Sequence, residues 1–526
     1  MTESIDLRTH RNHKKSVPMT AKFTAFVTGC LLAGCAAFAA AATPAATEPG
    51  LSHEAENAVV KVFSTLVHPD LARPWAKAPP QEVTGTGVVI EGKRILTNAH
   101  VVQYASQVQV QANQSGDKLS ATVVAIAPGI DLAVLKLDDE SFFDQRAALP
   151  RASSVPKIKD PVLTYGFPTG GESLSITRGI VSRIEFVSYN LGISGLRIQV
   201  DAPINPGNSG GPAIAAGKMI GLVFSHLVGS ENIGYIIPNE EIELFLKDVA
   251  AGRPYAKPAM YDELQTLENP ALRAYLKLDN SVRGAVVYRP FEGAGPTPLK
   301  QWDVITRIAD TPIDDEGMIQ AGDNLRLAFQ YQIQKVARDG TVPLTIVRAG
   351  KSQNIRLPVT THRPLLIDFL AGAYPSYFIY GPLVLSRASI ESLQLLRQRP
   401  GAGGSVAAAL GNPLIARLGD PPDAGHDELV VISSPLFPHA LSKGYSNPAG
   451  EVVRAVNGTP VKSLAQMVAL LRDLKDEFVT IDFDNTIGEA LVFPRAPTVA
   501  ATEGILTDNS VRAQGSADMM KIWEAK

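Results

Sequence analysis

Cysteine is almost missing from the chain: two in 526 residues, Cys30 and Cys35, both near the start. Neither a disulfide framework nor a thiolate metal site is open to the folded body, so its stability has to come from packing. An excess of one charge is missing too. The 49 basic and 52 acidic side chains leave a formal charge of −3, which offers nucleic acid no basic face. No Walker loop, dinucleotide fingerprint or metal-spaced histidine cluster occurs, so no cofactor is expected. The apolar run of residues 23–35 is too short to span a bilayer. What is present is a chain 45% hydrophobic and 19% charged, which excludes global disorder. At ~100 to 200 residues per domain, about three domains with substantial cores are expected.

His10, Arg11, His13, Lys14, Lys15 and Lys22 precede that apolar run, in the order of a secretory signal. Residues 1–42 are therefore expected to direct export. The run ends in Leu32-Ala33-Gly34-Cys35, which resembles a bacterial lipobox, in which the cysteine is lipidated and becomes the first mature residue. Small residues at 38–42 offer a competing cleavage site and simple secretion, and an uncleaved anchor is the third alternative. The expected location is the bacterial periplasm or cell envelope.

Pro44, Thr47 and Pro49 make residues 43–57 read as a tether. Residues 58–250 carry short apolar strands broken by Gly, Pro and Asn, including 87–90, 108–111, 162–165 and 219–224. That pattern suggests a pair of β-barrels rather than βαβ units. Helical periodicity follows at 240–249, then a linker marked by Gly252, Pro254 and Pro258. Two mixed α/β stretches come next, at 261–362 and 363–495. They share an echo: residues 302–313 and 450–461 each read as a strand, a tight polar turn and a second short strand. Residues 496–526 are expected to form a mobile tail.

The chemistry lies between residues 58 and 250. In Gly207-Asn208-Ser209-Gly210-Gly211-Pro212 the glycines free the backbone to expose a hydroxyl and to aim successive N–H groups at one point, an oxyanion site. Alone it reads first as a plain β-turn, because Ser and Gly dominate turns. Thr97-Asn98-Ala99-His100-Val101-Val102 places an imidazole just past a strand end, where it can act as a general base. Asp131-Leu132-Ala133-Val134-Leu135 puts a carboxylate directly before an apolar run, suited to orienting an imidazole. Each of these alone has a structural explanation; their combination points to a nucleophile, a base and an orienting acid.

These three contexts, in the order His100, Asp131, Ser209, resemble the HtrA/Do branch of the chymotrypsin-like serine proteases. The similarity continues through Thr84-Gly85-Thr86-Gly87, Thr177-Arg178-Gly179-Ile180-Val181-Ser182, Gln199-Val200-Asp201-Ala202-Pro203 and Asn232-Ile233-Gly234-Tyr235. It implies a mainly β protein: a chymotrypsin-like double β-barrel followed by two α/β PDZ-like domains. It implies Ser209 as nucleophile, His100 as base and Asp131 as orienting acid. The oxyanion site would be built by Gly207 and Ser209, helped by Asn208. The primary specificity pocket would be lined by Ile204, Phe224, Ser225 and His226, with no anion to select Lys or Arg, so small or medium apolar residues are expected at the cleaved position. His226 is expected to point to solvent, and Asp201 to bond backbone before Pro203.

Residues 261–358 resemble a PDZ domain, with 283–287 as the strand after a peptide-binding loop and 342–348 as the closing strand. Such domains take extended peptide ends by strand addition. Here Asn269-Pro270-Ala271-Leu272 stands where a glycine-rich carboxylate loop is expected, so an assembly or regulatory role is an equal alternative. The stretches 374–385 and 427–433 resemble the C-terminal region of plant Do-like proteases, whose second PDZ-like domain packs trimers together; a homotrimer or hexamer is implied. The expected protein is an exported, ATP-independent serine endopeptidase acting on unfolded or damaged envelope polypeptides. A holdase and a PDZ scaffold are the alternatives.

Overall fold

A computed structural model describes residues 51–525, apart from 169–170, 190–191, 227–232, 294–295, 323, 398–407, 410 and 485–488. The expected export signal and Cys35 lie outside the described residues. Residues 51–57, expected within a tether, belong instead to a helix, Leu51–Ala58, anchored by buried Ala55 and Ala58.

Among the described residues the first twelve strands close into two six-stranded barrels. The first contains β1 (Val59–Leu66), β2 (Gln81–Ile90), β3 (Arg94–Thr97), β4 (Ala105–Ala112), β5 (Lys118–Ala127) and β6 (Leu132–Leu137), in the order β1-β2-β3-β6-β5-β4. The second contains β7 (Pro161–Gly166), β8 (Ser175–Ser188), β9 (Ser194–Val200), β10 (Pro212–Ala215), β11 (Lys218–His226) and β12 (Gly234–Pro238), in the order β10-β11-β12-β9-β8-β7. Their β-branched and aliphatic side chains, Val60, Val62, Ile95 and Val134 in one and Val162, Val181, Ile198 and Ile236 in the other, are withdrawn from solvent. Closure removes the free strand edges that an open sheet would carry.

Register positions the chemistry. β3 pairs antiparallel with β6, Thr97 opposite Ala133, so the chain leaving β3 and the chain entering β6 meet at one barrel end. His100 lies on the single-turn helix Ala99–Val102 just past β3, and Asp131 immediately precedes β6. The helix Asn239–Ala250 closes the second barrel, burying Ile242 and Phe245.

The first PDZ-like unit carries β13 (Glu263–Gln265), β14 (Ala285–Arg289), β15 (Val304–Ile308), β16 (Thr311–Pro312), β17 (Met318–Gly322), β18 (Leu325–Ala328), β19 (Thr341–Arg348) and β20 (Lys351–Pro358). Its main sheet runs β13-β14-β15-β19-β20. One expectation fails here. Residues 342–348 do not close the sheet, because β19 is flanked by β15 and β20. The strand that follows the expected peptide-binding loop, β14, is paired on both sides, by β13 and by β15, and so offers no free edge for strand addition. Asn269 caps the short helix Pro270–Tyr275, its side chain accepting from the amides of Ala271 and Leu272.

The second unit contains β21 (Tyr377–Tyr380), β22 (Leu383–Arg387), β23 (Val430–Ile432), β24 (Val453–Val456), β25 (Thr459–Pro460), β26 (Phe478–Phe483) and β27 (Leu491–Pro494). The echo between residues 302–313 and 450–461 is real: β15–β16 and β24–β25 are matching hairpins, Ile308 opposite Thr311 and Val456 opposite Thr459. This unit packs on the β1–β2 loop and on the chain just after His100. The Tyr374 hydroxyl donates to the Val67 carbonyl at 2.7 Å and that of Tyr104 to Ala373 at 3.2 Å, while Trp75 and Phe437 rings lie 5.4 Å apart.

Residues 496–526 are not a mobile tail. They form most of the helix Arg495–Asp508 and all of Ala517–Trp523, and bury Ile505, Leu506 and Met519. The Trp523 ring sits 5.0 Å from that of fully buried Phe378. Trp523→Ala is therefore expected to destabilise the second PDZ-like unit by about 2 kcal/mol, less than a fully buried tryptophan would cost. Thermal unfolding checks it; an unchanged midpoint would show that these helices do not contribute to that core.

Candidate active site

Asp131 is 3% exposed and holds a left-handed backbone conformation, φ 58°, which a short polar side chain tolerates better than most. A buried carboxylate needs donors. His100 supplies two: its backbone N–H reaches Oδ1 at 2.9 Å and its ring Nδ1 reaches Oδ2 at 2.7 Å. The Asn98 side-chain amide donates to the Asp131 carbonyl at 2.8 Å, fixing the turn from the other side. Because a carboxylate only accepts, Nδ1 must carry the hydrogen, which leaves Nε2 of the neutral ring with a lone pair. The ring is half-exposed, 48%, so that lone pair is accessible from the cleft. Burial of the ring works to lower its pKa, but the hydrogen bond and charge of Asp131 outweigh burial and raise it above the ordinary histidine value.

The Ser209 loop is fastened to the first barrel by Thr86, a fully buried residue of β2. Its hydroxyl donates to the Gly207 carbonyl at 2.7 Å and accepts from the Phe167 amide at 3.1 Å. Its backbone N–H donates to the Ser209 carbonyl at 2.8 Å, and its carbonyl accepts from the Thr97 hydroxyl at 2.7 Å. One threonine thus joins both flanks of Ser209 to the strand that leads to His100. Gly207, at φ 101°, and Gly210, at φ 90°, occupy backbone conformations that favour glycine. A Cβ on Gly210 would stand 1.9 Å from the Thr86 carbonyl oxygen, so the loop can approach β2 only with glycine there.

Within this loop the amides of Asn208, Gly210 and Gly211 are taken by the carbonyls of Asn205, Val223 and Asn208, at 3.0, 2.8 and 2.9 Å. Among the described residues no carbonyl takes the amides of Gly207 and Ser209. The expectation that Asn208 helps build the anion site is thereby corrected: its N–H is spent on the turn, and its side chain is buried. The Ser209 hydroxyl, half-buried, rests on the Phe224 carbonyl at a long 3.4 Å.

Ile204 and Phe224 are buried beside the loop, 8% and 7% exposed. The Ile204 side chain lies directly over Gly234 of β12, its Cδ1 only 2.2 Å from where a Cβ on that glycine would stand. Phe224 stacks on Tyr189 at 5.4 Å between centroids. Ser225 and His226 belong to β11, opposite Tyr235 and Gly234, but their side chains lie outside the described residues. Asp201 does bond backbone: its Oδ1 accepts from the Ile180 amide at 2.6 Å, on β8 rather than in the loop before Pro203. Sequence reasoning missed the roles of Thr86 and Asn98. The one available signal for Thr86 was its flanking glycines, since a Cβ on Gly85 would meet Val101 at 2.7 Å and the Ser209 carbonyl at 3.3 Å.

A family model for a trypsin-like peptidase domain matches residues 85–222, and one for a PDZ domain matches residues 370–518. The chain is 32% identical to protease Do-like 2, chloroplastic, of Arabidopsis thaliana over 484 residues, 90% of this chain and 77% of that protein. It is 33% identical to protease Do-like 4, mitochondrial, of the same organism over 438 residues, 82% of this chain and 80% of that one. Among solved structures it resembles the HtrA-type protease AlgW with a decapeptide, at a TM-score of 0.46 and 25% identity, covering 60% of this chain and 98% of that one.

The raised His100 pKa fixes a pH dependence. If the neutral ring is the working form, kcat/KM on a peptide substrate should rise with pH through an apparent pKa above ~6.5. Asp131→Asn should move that limb to lower pH and cut kcat by about 10⁴-fold, because the wrong nitrogen then holds the proton. Stability runs the other way: a raised folded-state pKa gives stabilisation that is full below ~6.5 and fades as pH climbs through the folded value. A limb unmoved in Asp131→Asn would contradict the assignment.

Proposed function

The chain belongs to the Do-like, or HtrA, family of serine proteases, and from that premise we propose that Ser209, His100 and Asp131 form its catalytic triad and that it cleaves unfolded polypeptides. The observation that carries the assignment is the doubly bonded Asp131–His100 pair, which presents Nε2 to the cleft. In the proposed reaction Nε2 takes the Ser209 proton as Oγ attacks the scissile carbonyl, and the Oγ–C bond forms. The imidazolium then protonates the leaving amine as the C–N bond breaks. Water, deprotonated by the same nitrogen, hydrolyses the acyl-enzyme. Asp131 stabilises the imidazolium without taking its proton. The amides of Gly207 and Ser209 receive the oxyanion, and a donor of this kind is typically worth about 10²–10³ in rate.

The pocket reading follows from Ile204. With its side chain seated on Gly234 and Phe224 forming an apolar wall, the site favours small or medium apolar side chains at the cleaved position. Unfolded substrate is proposed because an extended segment, not a folded surface, suits a cleft reached between two barrels. The PDZ-like domains are proposed to take peptide ends, with the free edges of β13 and β20 available in place of β14. A homotrimer or hexamer, export to the cell envelope and lipidation at Cys35 are proposed on the sequence alone.

A fluorophosphonate probe and unfolded casein test the reading together. The wild type should be labelled on Ser209 and digest casein without ATP, and Ser209→Ala should do neither. Absence of both in the wild type would favour a holdase or scaffold. Ile204→Ala should deepen the pocket and shift kcat/KM toward larger apolar residues by about 10-fold or more, measured across a peptide series. An unchanged preference would remove Ile204 from the pocket floor.

A further inference from the structure

Outside the cleft the protease domain buries a complete ion pair. Lys257 belongs to the segment that leaves the helix Asn239–Ala250 for the first PDZ-like unit, yet its side chain is only 6% exposed. Its ammonium lies 2.8 Å from each carboxylate oxygen of Glu241, which is 0% exposed. Two apolar side chains of similar volume would fill such a site at no electrostatic cost, so the pair calls for a reason beyond stability.

The contacts of Glu241 supply one. Its Oε1 also accepts from the Leu196 amide of β9 at 2.7 Å, and the Leu196 carbonyl accepts from the Tyr189 hydroxyl. The Tyr189 ring stacks on Phe224, the pocket wall whose carbonyl holds the Ser209 hydroxyl. The Arg197 guanidinium lies 4.5 Å from the Tyr189 centroid, 5.0 Å from that of Phe224 and 4.9 Å from that of Tyr235, clamping the wall from behind. A second branch runs to the acid. A Cβ on Gly195 would meet Glu241 Oε1, Ile130 Cδ1 and Tyr189 Cε2, each at 3.1 Å, so the carboxylate, the residue before Asp131 and the stacked ring converge on one point of β9. The preceding helix residue, Glu240, accepts from Tyr331 and Gln334 of the first PDZ-like unit, both at 2.9 Å. Consecutive glutamates thus hold the neighbouring domain and the pocket wall.

We infer that Lys257 is a positioning residue for proteolysis: through its buried pair with Glu241 the interdomain segment holds the Tyr189–Phe224 wall and the Ile130–Asp131 turn in their working places. The inference rests on the proposed triad. Without Lys257 the Glu241 carboxylate keeps the Leu196 amide but loses its counter-charge, and a buried carboxylate so placed is driven to move or take a proton. Either change disturbs Leu196 and passes through Tyr189 to the pocket, where a displacement of about 1 Å can cost up to ~10²-fold in rate.

The test measures, on the full chain, the rate of Ser209 labelling by a fluorophosphonate and kcat and KM on a peptide, beside thermal unfolding. Lys257→Met is expected to slow labelling and lower kcat by about 10- to 100-fold at temperatures where it is folded. Lys257→Arg, which keeps charge and donors, is expected to restore most of the rate. A folded Lys257→Met that labels at the wild-type rate, whatever its unfolding midpoint, overturns the inference. Should Lys257→Met not fold, Lys257→Met/Glu241→Gln removes both charges and decides: slow labelling supports the inference, and a wild-type rate overturns it. A wild type that is not labelled at all would count against the triad instead.

Discussion

A carboxylate shut away from water has to be answered by hydrogen-bond donors, and Asp131 finds two of them on a single residue, His100. That constraint orders the rest of the cleft. Binding one oxygen to the backbone amide and the other to the ring sets the position of the histidine and the rotation of its imidazole together. The tautomer follows from the acceptor, and the free lone pair follows from the tautomer. β3 and β6 are neighbours in register, so the fold brings the two residues together before either side chain contributes. The remaining need is a serine loop held at a fixed place against this barrel, and Thr86 meets it by donating from its amide and hydroxyl to the Ser209 and Gly207 carbonyls, while its own carbonyl accepts from Thr97 of β3.

The parts of the site that could be read in the sequence are those with no freedom to look otherwise. Ser209 sits among glycines because Gly207 and Gly210 have positive φ and Gly210 has a neighbouring strand within contact distance. The paired hairpins at residues 302–313 and 450–461 were visible because a strand, a tight turn and a strand leave a local pattern. Lys257 and Glu241 were not visible, since a lysine in a linker and a glutamate in the first turn of a helix are ordinary in sequence and only the fold makes them partners. Asn208 was misread because the identity of an amide's acceptor depends on the turn that surrounds it. The C-terminal helices were missed for a different reason. The helix Arg495–Asp508 turns Thr498 and Thr502 inward, and their hydroxyls bond the carbonyls of Pro494 and Thr498 one turn back. Buried polar residues erase the apolar stripe from which helices are read.

The two PDZ-like units make different use of the protease. The first lies against the second barrel, where Tyr331 meets Phe186 and Glu240. The second lies against the first barrel, where Tyr374, Tyr104 and Trp75 join it to the loop after β1 and the turn that follows His100. Each barrel therefore carries one of the two units. β14, enclosed by β13 and β15, cannot be the strand that accepts a peptide in this arrangement. Peptide capture, where it occurs, must use another edge or first displace β13.

The most direct measurement of the central claim is a crystal structure of the full chain with a peptide boronic acid of small apolar end residue. The account predicts a covalent bond from boron to Ser209 Oγ and one boronate oxygen about 2.7–3.1 Å from the amides of both Gly207 and Ser209. It also predicts His100 Nε2 within hydrogen-bond reach of the adduct, with Nδ1 still on Asp131. A boronate bound elsewhere, or one whose oxygen meets the Asn208 amide while those of Gly207 and Ser209 point away, would contradict it.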